Sequence, residues 1–344
     1  MPLGAELRLH ERRVRDLMAE RGLGAFYVSK EADVRYLTGA ETGRLLLTSK
    51  GGVLWVKDFY KELYDSIYES RGYPFDVRVQ DKDDVKRTLR GLRQKAIGVS
   101  SYDAAAVVRK VSRKRTDVVD LVKSARAVKT KCEVELIRRS CGIAKAGMRR
   151  AREVIRPGVR ELDVVAEVEG ELRRRGSEKP PFGDGMLLAS GARSCDIHAR
   201  PTLKGIRRGL VVVDLGATYK GYFSDMTRTF GVGRLSARER DVMDFVRSLK
   251  DDAIDGIMPG QLCCDVHKFV DDRIKANGYK FHHLSGHGVG LEIHESPSFS
   301  PDSKVKLERN MVFTVEPGIY LPHGFGVRFE DTVLLTGGGC VRLT

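Results

Sequence analysis

The chain has 344 residues, 41% of them hydrophobic, and a formal net charge of +14. That length holds two domains, each with its own core. No apolar run approaches a membrane span, and the opening MPLGAELRLHERR lacks the apolar stretch of a secretory signal, so no membrane partner is expected and a cytoplasmic setting is.

Basic residues concentrate in runs at 109–115, 123–131, 149–160 and 173–175. The runs carry no interleaved aromatics and match no nucleic-acid motif, so they read as solvated helix faces, and nucleic acid is not an expected partner. Six cysteines, Cys132, Cys141, Cys195, Cys263, Cys264 and Cys340, form no CxxC pair. They read as mostly buried thiols of a reducing compartment.

In chain order, Val14, Leu17 and Met18 give a helical stripe that stops near Gly22 and Gly24. A short strand follows at 25–28, then strands at 44–48 and 53–57 joined by Ser49-Lys50-Gly51-Gly52. A helix at 59–70, a strand at 75–79, a helix at 83–92 and strands at 96–99 and 117–122 complete an α/β domain over residues 1–122. It has no Gly-rich phosphate loop and one histidine, His10, so structural support or oligomerisation is its expected task. Residues 121–130 read as a polar connector. A long helix is predicted from about Cys132 to Pro157-Gly158, and a second over 162–175. Helices at 237–257 and 264–276 repeat the pair, and the last predicted strand is 332–335.

Residues 123–344 are internally duplicated. An offset of 102 residues relates Ile155-Arg156-Pro157-Gly158 to Ile257-Met258-Pro259-Gly260, Asp163 to Asp265, Gly176 to Gly278, and Asp214 to Glu316. Each copy runs helix, Pro-Gly turn, helix, strands, which predicts an α+β domain with helices on one side of an antiparallel sheet. Each copy also carries paired carboxylates. Val213-Asp214-Leu215-Gly216 is followed by Asp225, and Val315-Glu316-Pro317-Gly318 by Glu330. Ser190-Gly191 precedes His198 as Ser285-Gly286 precedes His294, and the second copy adds His287 where the first has Ala192.

Singly, an aspartate at a strand end is an ordinary turn residue and a histidine an ordinary structural one. Recurrence at equivalent points of a duplicated unit singles these residues out. Two halves packed about a pseudo-twofold axis would bring four carboxylates together, and such a cluster needs positive charge within it. Asp214, Asp225, His287, Glu316 and Glu330 form an oxygen-rich donor set with one imidazole, which suits manganese, cobalt or iron better than a thiolate-type zinc site. Bridging carboxylates suit two ions, which activate water and polarise a carbonyl, the chemistry of amide or ester hydrolysis. His10, His267 and His323 are expected at the surface. His283 is expected to line the site or pack beneath it.

These segments, VVVDLGATYKGYFSDMTRTF (211–230), HHLSGHGVGLEIHE (282–295), MVFTVEPGIY (311–320) and GVRFEDTVLLT (326–336), with LLASGARSCDIHARPT (187–202), resemble the pita-bread metallopeptidase family of prolidase, aminopeptidase P and methionine aminopeptidase. Residues 1–122 resemble the N-terminal domain of prolidases, aminopeptidases P and creatinases. The resemblance implies a homodimer with a pita-bread catalytic domain at 123–344. It also implies two divalent ions, manganese or cobalt before iron or zinc, and a peptide substrate with proline second. By the same resemblance Asp214, His287 and Glu316 bind metal, Asp225 and Glu330 bridge, and Glu316 shuttles a proton. His198 and His294 contact substrate and oxyanion, Arg328 orients Glu330 or meets the substrate, and Tyr222 lines the pocket. The short interval from Glu316 to Glu330 fits the proline-specific branch. One departure is Ser298, where archaeal prolidases of this kind often carry an arginine for the dipeptide's carboxylate. Arg328 or a partner subunit's residue could replace it. Xaa-Pro dipeptidase and Xaa-Pro aminopeptidase activities therefore both stay open, with dipeptides favoured, and a non-catalytic basic relative that binds nucleic acid is the less favoured alternative.

Overall fold

The computed structural model describes residues 3–69 and 75–344, and divides into two compact units, Met1–Arg126 and Ala127–Thr344. The first unit runs α1 (Leu3–Glu20), β1 (Ala25–Val28), α2 (Glu31–Thr38), β2 (Arg44–Thr48), β3 (Gly51–Val56), α3 (Asp58–Glu69), β4 (Phe75–Val79), α4 (Lys82–Gly91), β5 (Ala96–Val99), α5 (Tyr102–Ser112), β6 (Arg115–Val118) and α6 (Leu121–Ala127). Ser70, the end of the helix expected at 59–70, lies outside the described residues. The six strands form one sheet in the order β4-β3-β2-β1-β5-β6, antiparallel in the β1-β2-β3 meander and parallel elsewhere. Its central strands β1, β2 and β5 are mostly buried and apolar, with Tyr27, Leu46, Trp55 of β3 and Val99 in the core beneath α4 and α5.

Three sequence expectations change here. The connector at 121–130 is mostly helix α6, with Leu121 and Val122 buried and the Arg126 guanidinium donating to Asp33 Oδ1 at 2.7 Å. Those apolar residues had read as the end of a strand, which stops at Val118 instead. His10 is buried rather than exposed, because on α1 it shares the apolar face with Leu7 and Val14, and its ring stacks on Tyr36 at 3.9 Å.

The second unit runs α7 (Lys131–Val154), α8 (Glu161–Arg174), β7 (Leu187–Ser190), a 3-10 turn (Gly191–Cys195), β8 (Gly209–Leu215), β9 (Thr218–Tyr219), β10 (Tyr222–Phe223) and β11 (Met226–Val232). The chain continues through α9 (Ala237–Asp255), α10 (Cys263–Ala276), β12 (His287–Gly288), β13 (Glu295–Ser298), β14 (Val312–Val315), β15 (Gly318–Tyr320), β16 (Gly326–Arg328), β17 (Glu330–Thr336) and β18 (Gly339–Arg342). Both long helices start at a capping box, Thr130 with Glu133 and Ser236 with Glu239, which satisfies the first free N–H groups. β18 lies beyond the last strand expected from sequence and pairs with β17.

The duplication is visible in the backbone. Gly158 N donates to Ile206 O and Gly260 N to Leu307 O; Glu161 N donates to Lys204 O and Cys263 N to Val305 O. Each half has its own core, one built on Val164, Val168, Val211 and Val213, the other on Val266, Val270, Phe313 and Val333. The halves share one antiparallel sheet in the order β13-β12-β14-β17-β11-β8-β7, joined where Met226 pairs Asp331 and Thr227 pairs Glu330. His267, expected at the surface, is buried on α10 one turn from Cys263 and Val270, with Nδ1 3.2 Å from Ser285 Oγ. His323 is exposed.

Candidate metal centre

Five neighbouring strands each bring one expected ligand to the same level of the sheet. His287 opens β12, Glu316 follows β14, Glu330 opens β17, Asp225 precedes β11 and Asp214 stands near the end of β8. Because neighbours run antiparallel, the finish of β14 meets the starts of β12 and β17 and the finish of β8 meets the start of β11, while β17 and β11 meet at their starts, where the two halves join. Gly216 and Gly286 permit the close approach of the loops that frame them. A Cβ at either would strike a backbone carbonyl, of Ser224 and Thr314 respectively.

Ligand atoms of Asp225, His287 and Glu330 lie within 4.8 Å of one another. His287 Nε2 is 3.6 Å from Asp225 Oδ2 and 3.5 Å from Glu316 Oε1. All are buried or nearly so, Glu316 keeping 16% of its side chain exposed. Burial, then Glu330, Asp214 and Glu316, holds the Asp225 carboxyl well above the usual carboxylate range. Glu330 is raised in the same way by burial, Glu316 and Asp214, and Glu316 is pushed up to about 8, chiefly by burial. Burial depresses the His287 imidazolium to about 3, so its ring is neutral.

The donor set fits a divalent cation. His287 Nδ1 stands 3.2 Å from Gly288 O, which can only accept, so Nδ1 carries the proton and Nε2 turns a lone pair toward two carboxylates. Lone pair facing lone pair is repulsive unless a cation lies between. Asp214 Oδ1 and Asp225 Oδ1 are buried without a hydrogen-bond partner, an arrangement that costs free energy unless a charge compensates it.

Arg328 ties the cluster together. Its Nη2 donates to Asp214 Oδ2 at 2.5 Å, Nε to Thr227 Oγ1 at 3.0 Å, and Nη1 to Tyr320 Oη at 2.8 Å and Ile197 O at 3.4 Å. Thr227 Oγ1 donates onward to Glu330 Oε2 at 2.6 Å. Arg328 therefore orients Asp214 directly and Glu330 through Thr227. With four donors committed and the side chain buried, it is not the replacement for the arginine missing at Ser298. Ser298 itself pairs across the sheet from His287.

His294 packs edge-on against His287, ring centres 4.2 Å apart, and His198 is exposed on the loop after the 3-10 turn. That loop is anchored by the buried Glu161, which accepts from Ser190 N and Oγ, Thr202 N and Oγ1, and Arg193. Tyr222 is buried with its hydroxyl donating to Glu133 at 3.1 Å, so its polar end is committed there. His283 Nδ1 lies 3.7 Å from Glu316 Oε2, and its Nε2 lies 3.1 Å from Tyr320 Oη.

Sequence reasoning missed Thr227, Tyr320 and Glu161. Thr227 on β11 sits two residues beyond Asp225, which leads into that strand, and that period of two was the available signal. Thr227→Val keeps the shape but removes both the donor to Glu330 and the acceptor for Arg328. Turnover or metal affinity is expected to fall roughly 10- to 100-fold, as for other residues that orient ligands. Wild-type values in both assays would show that these bonds do not position the carboxylates.

The Metallopeptidase family M24 profile matches residues 135–337, and the Creatinase/Prolidase N-terminal domain profile matches 11–128. The chain is 33% identical to the Xaa-Pro dipeptidase of Pyrococcus horikoshii, over 97% of this chain and 96% of that one. It superimposes on the prolidase structure from Pyrococcus furiosus with a TM-score of 0.87 at 35% identity, covering 96% and 98% of the two chains. The X-Pro aminopeptidase structure from Thermotoga maritima matches with a TM-score of 0.85 at 30% identity, covering 97% of each. With its duplicated sheet, its buried carboxylate cluster and these matches, the chain is a peptidase that belongs to metallopeptidase family M24, in the prolidase branch.

Proposed function

We propose that this peptidase hydrolyses Xaa-Pro bonds, dipeptides before longer peptides. The observation that carries the reading is the convergence of four carboxylates and a neutral imidazole on one level of the sheet, in a chain similar to Xaa-Pro dipeptidases over nearly its full length. Asp214, Asp225, His287, Glu316 and Glu330 would hold two divalent ions, for which manganese or cobalt suits the mostly carboxylate set. When bound, such ions supply the charge that acidifies water and polarises the scissile carbonyl.

The protein's own groups do the rest. Glu316, with one edge open and its carboxyl raised toward neutrality, takes the proton from water and gives it to the proline nitrogen as the C–N bond breaks. That nitrogen has no N–H before cleavage, so the leaving group depends on this proton and the ring is recognised by shape. His198 and His294 stand at the open side, where they contact the substrate and steady the oxyanion. Arg328 and Thr227 hold the carboxylates in place. Six free cysteines suit a reducing cytoplasm. Among the described residues no helix is long and apolar enough to cross a membrane. A homodimer completes the proposal, and Phe59 and Leu63, exposed one turn apart on α3, offer an apolar face for it.

Ser298 opposite His287 makes substrate length the decisive test. Chelator-stripped protein, reloaded with manganese or cobalt, is expected to cleave Met-Pro faster than Met-Pro-Ala-Ala. Faster cleavage of the tetrapeptide would replace the dipeptidase reading with an aminopeptidase one. Cleavage of neither by metal-loaded protein would end the proline assignment.

A further inference from the structure

We propose that the helical face of the catalytic unit carries a second ligand site, a cleft that takes a small aromatic anion. A cavity of about 470 Å³ opens there, with Arg152, Arg228 and Arg247 on its walls and Ile155, Phe230, Met243 and Phe329 as its apolar surface. That volume lies in the range of small-molecule sites.

Arg228 and Phe230 of β11 line the cleft and alternate with Thr227 and Thr229, which bond toward the carboxylate cluster, Thr229 also bordering the cleft. On β11, Thr227 and Thr229 bond to Glu330 and Arg328, while Arg228 between them reaches the other way to Asp331, which also accepts from Lys250 of α9. The cleft opens where the two repeated halves meet. β11 and β17 pair only at Met226 with Asp331 and Thr227 with Glu330. Past that point the Thr229 hydroxyl bridges to Arg328 N and O in place of a backbone ladder. Arg152 and Ile155 reach the cleft from the end of α7, Met243 and Arg247 from α9.

Its charge is only partly compensated. Arg228 shares the single carboxylate of Asp331 with Lys250. Arg247 lies 4.9 Å above the Phe329 ring centre and meets one carboxylate, Asp244, at 3.3 Å on an exposed helix face where such a pair is weak. Among the described residues Arg152 meets no carboxylate. Guanidinium groups pair with planar or tetrahedral oxyanions and stack on aromatic faces. Half-buried Ile155, Phe230 and Met243 would be left wet by a bare inorganic anion, and the arginines would be left unused by a neutral arene. A phosphate, sulfonate or carboxylate carried on one aromatic ring meets both demands. This site is independent of which peptide bond the enzyme cleaves.

Calorimetric titration of the full-length, metal-loaded protein with phenyl phosphate tests the assignment. Saturable binding is expected, weakened roughly tenfold or more in the Arg152→Glu, Arg247→Glu double variant, with manganese content and circular dichroism unchanged. Arg152→Gln, a neutral change at an exposed position, is expected to weaken binding in the same direction and guards against misfolding of the double variant. Affinity unchanged by these substitutions would place the anion elsewhere, the metal centre included, and overturn the proposal. Inorganic phosphate or benzyl alcohol binding as tightly as phenyl phosphate would overturn it equally.

Discussion

Asp225→Asn is expected to reduce turnover on the order of a thousandfold under saturating manganese or cobalt. The substitution is nearly isosteric, so its effect is chemical. Asp225 is 4% exposed, with Oδ2 facing His287 and Oδ1 without a partner. An amide offers one carbonyl oxygen and an NH2 group that donates, so a cation loses a charge and a lone pair at the centre of its donor set. The same change relieves repulsion in the metal-free protein, because Glu330, Asp214 and Glu316 all press on this carboxylate. Three readouts should therefore move in a set pattern: metal stoichiometry and activity fall, while the melting temperature of the chelated protein rises. Wild-type turnover in this variant would sink the metal assignment. Lost activity with full metal occupancy would move Asp225 from binding to catalysis.

Chelator-stripped protein is expected to lose stability as pH rises from 6.5 to 8, and saturating manganese should remove that loss. The carboxyl of Glu316 rises from 4.5 unfolded to about 8 folded, and Asp225 and Glu330 shift in the same direction. A carboxyl whose folded pKa is raised contributes stability while protonated, and that contribution disappears as pH climbs through the folded value. His283 and His287, both depressed to about 3 by burial, act oppositely, but only below their ordinary 6.5. Above 6.5 the carboxyls act alone. Bound cations require the deprotonated ligands, so the stabilisation by manganese should grow across the same interval. Melting curves with chelator and with manganese at the two pH values decide the matter. Equal melting temperatures at both values without metal would show that the cluster is not repulsive.

The catalytic half was legible because its pattern is written twice. Pro157-Gly158 with Pro259-Gly260 and Asp214 with Glu316 mark the helix pairs and the strand ends, and the structure repeats the correspondence in backbone bonds. In the first unit no second copy helps. Helix α5 was hidden because its basic residues, Arg109 and Lys110, read as a charge run, and α2 because eight residues carry too few turns to show a period. The network behind the ligands was only partly legible, Arg328 through the resemblance and Thr227 through the strand period, and their contact was hidden for a different reason. Thr227, Tyr320 and Arg328 are 93 to 101 residues or only 8 apart in sequence, and nothing in a single chain signals that three polar groups will converge on one side of a sheet. His10 and His267 were misplaced because a histidine on an apolar helical face is ambiguous until its backbone partner or hydroxyl is seen.

His287 has no counterpart in the first half, where Ala192 follows the equivalent Ser-Gly pair. A dimer of identical half-length ancestors would present any imidazole at this position twice, once on each side of its axis. Only after fusion into one polypeptide could one side carry the ring while the other carries alanine. The asymmetric donor set is thus younger than the fused gene.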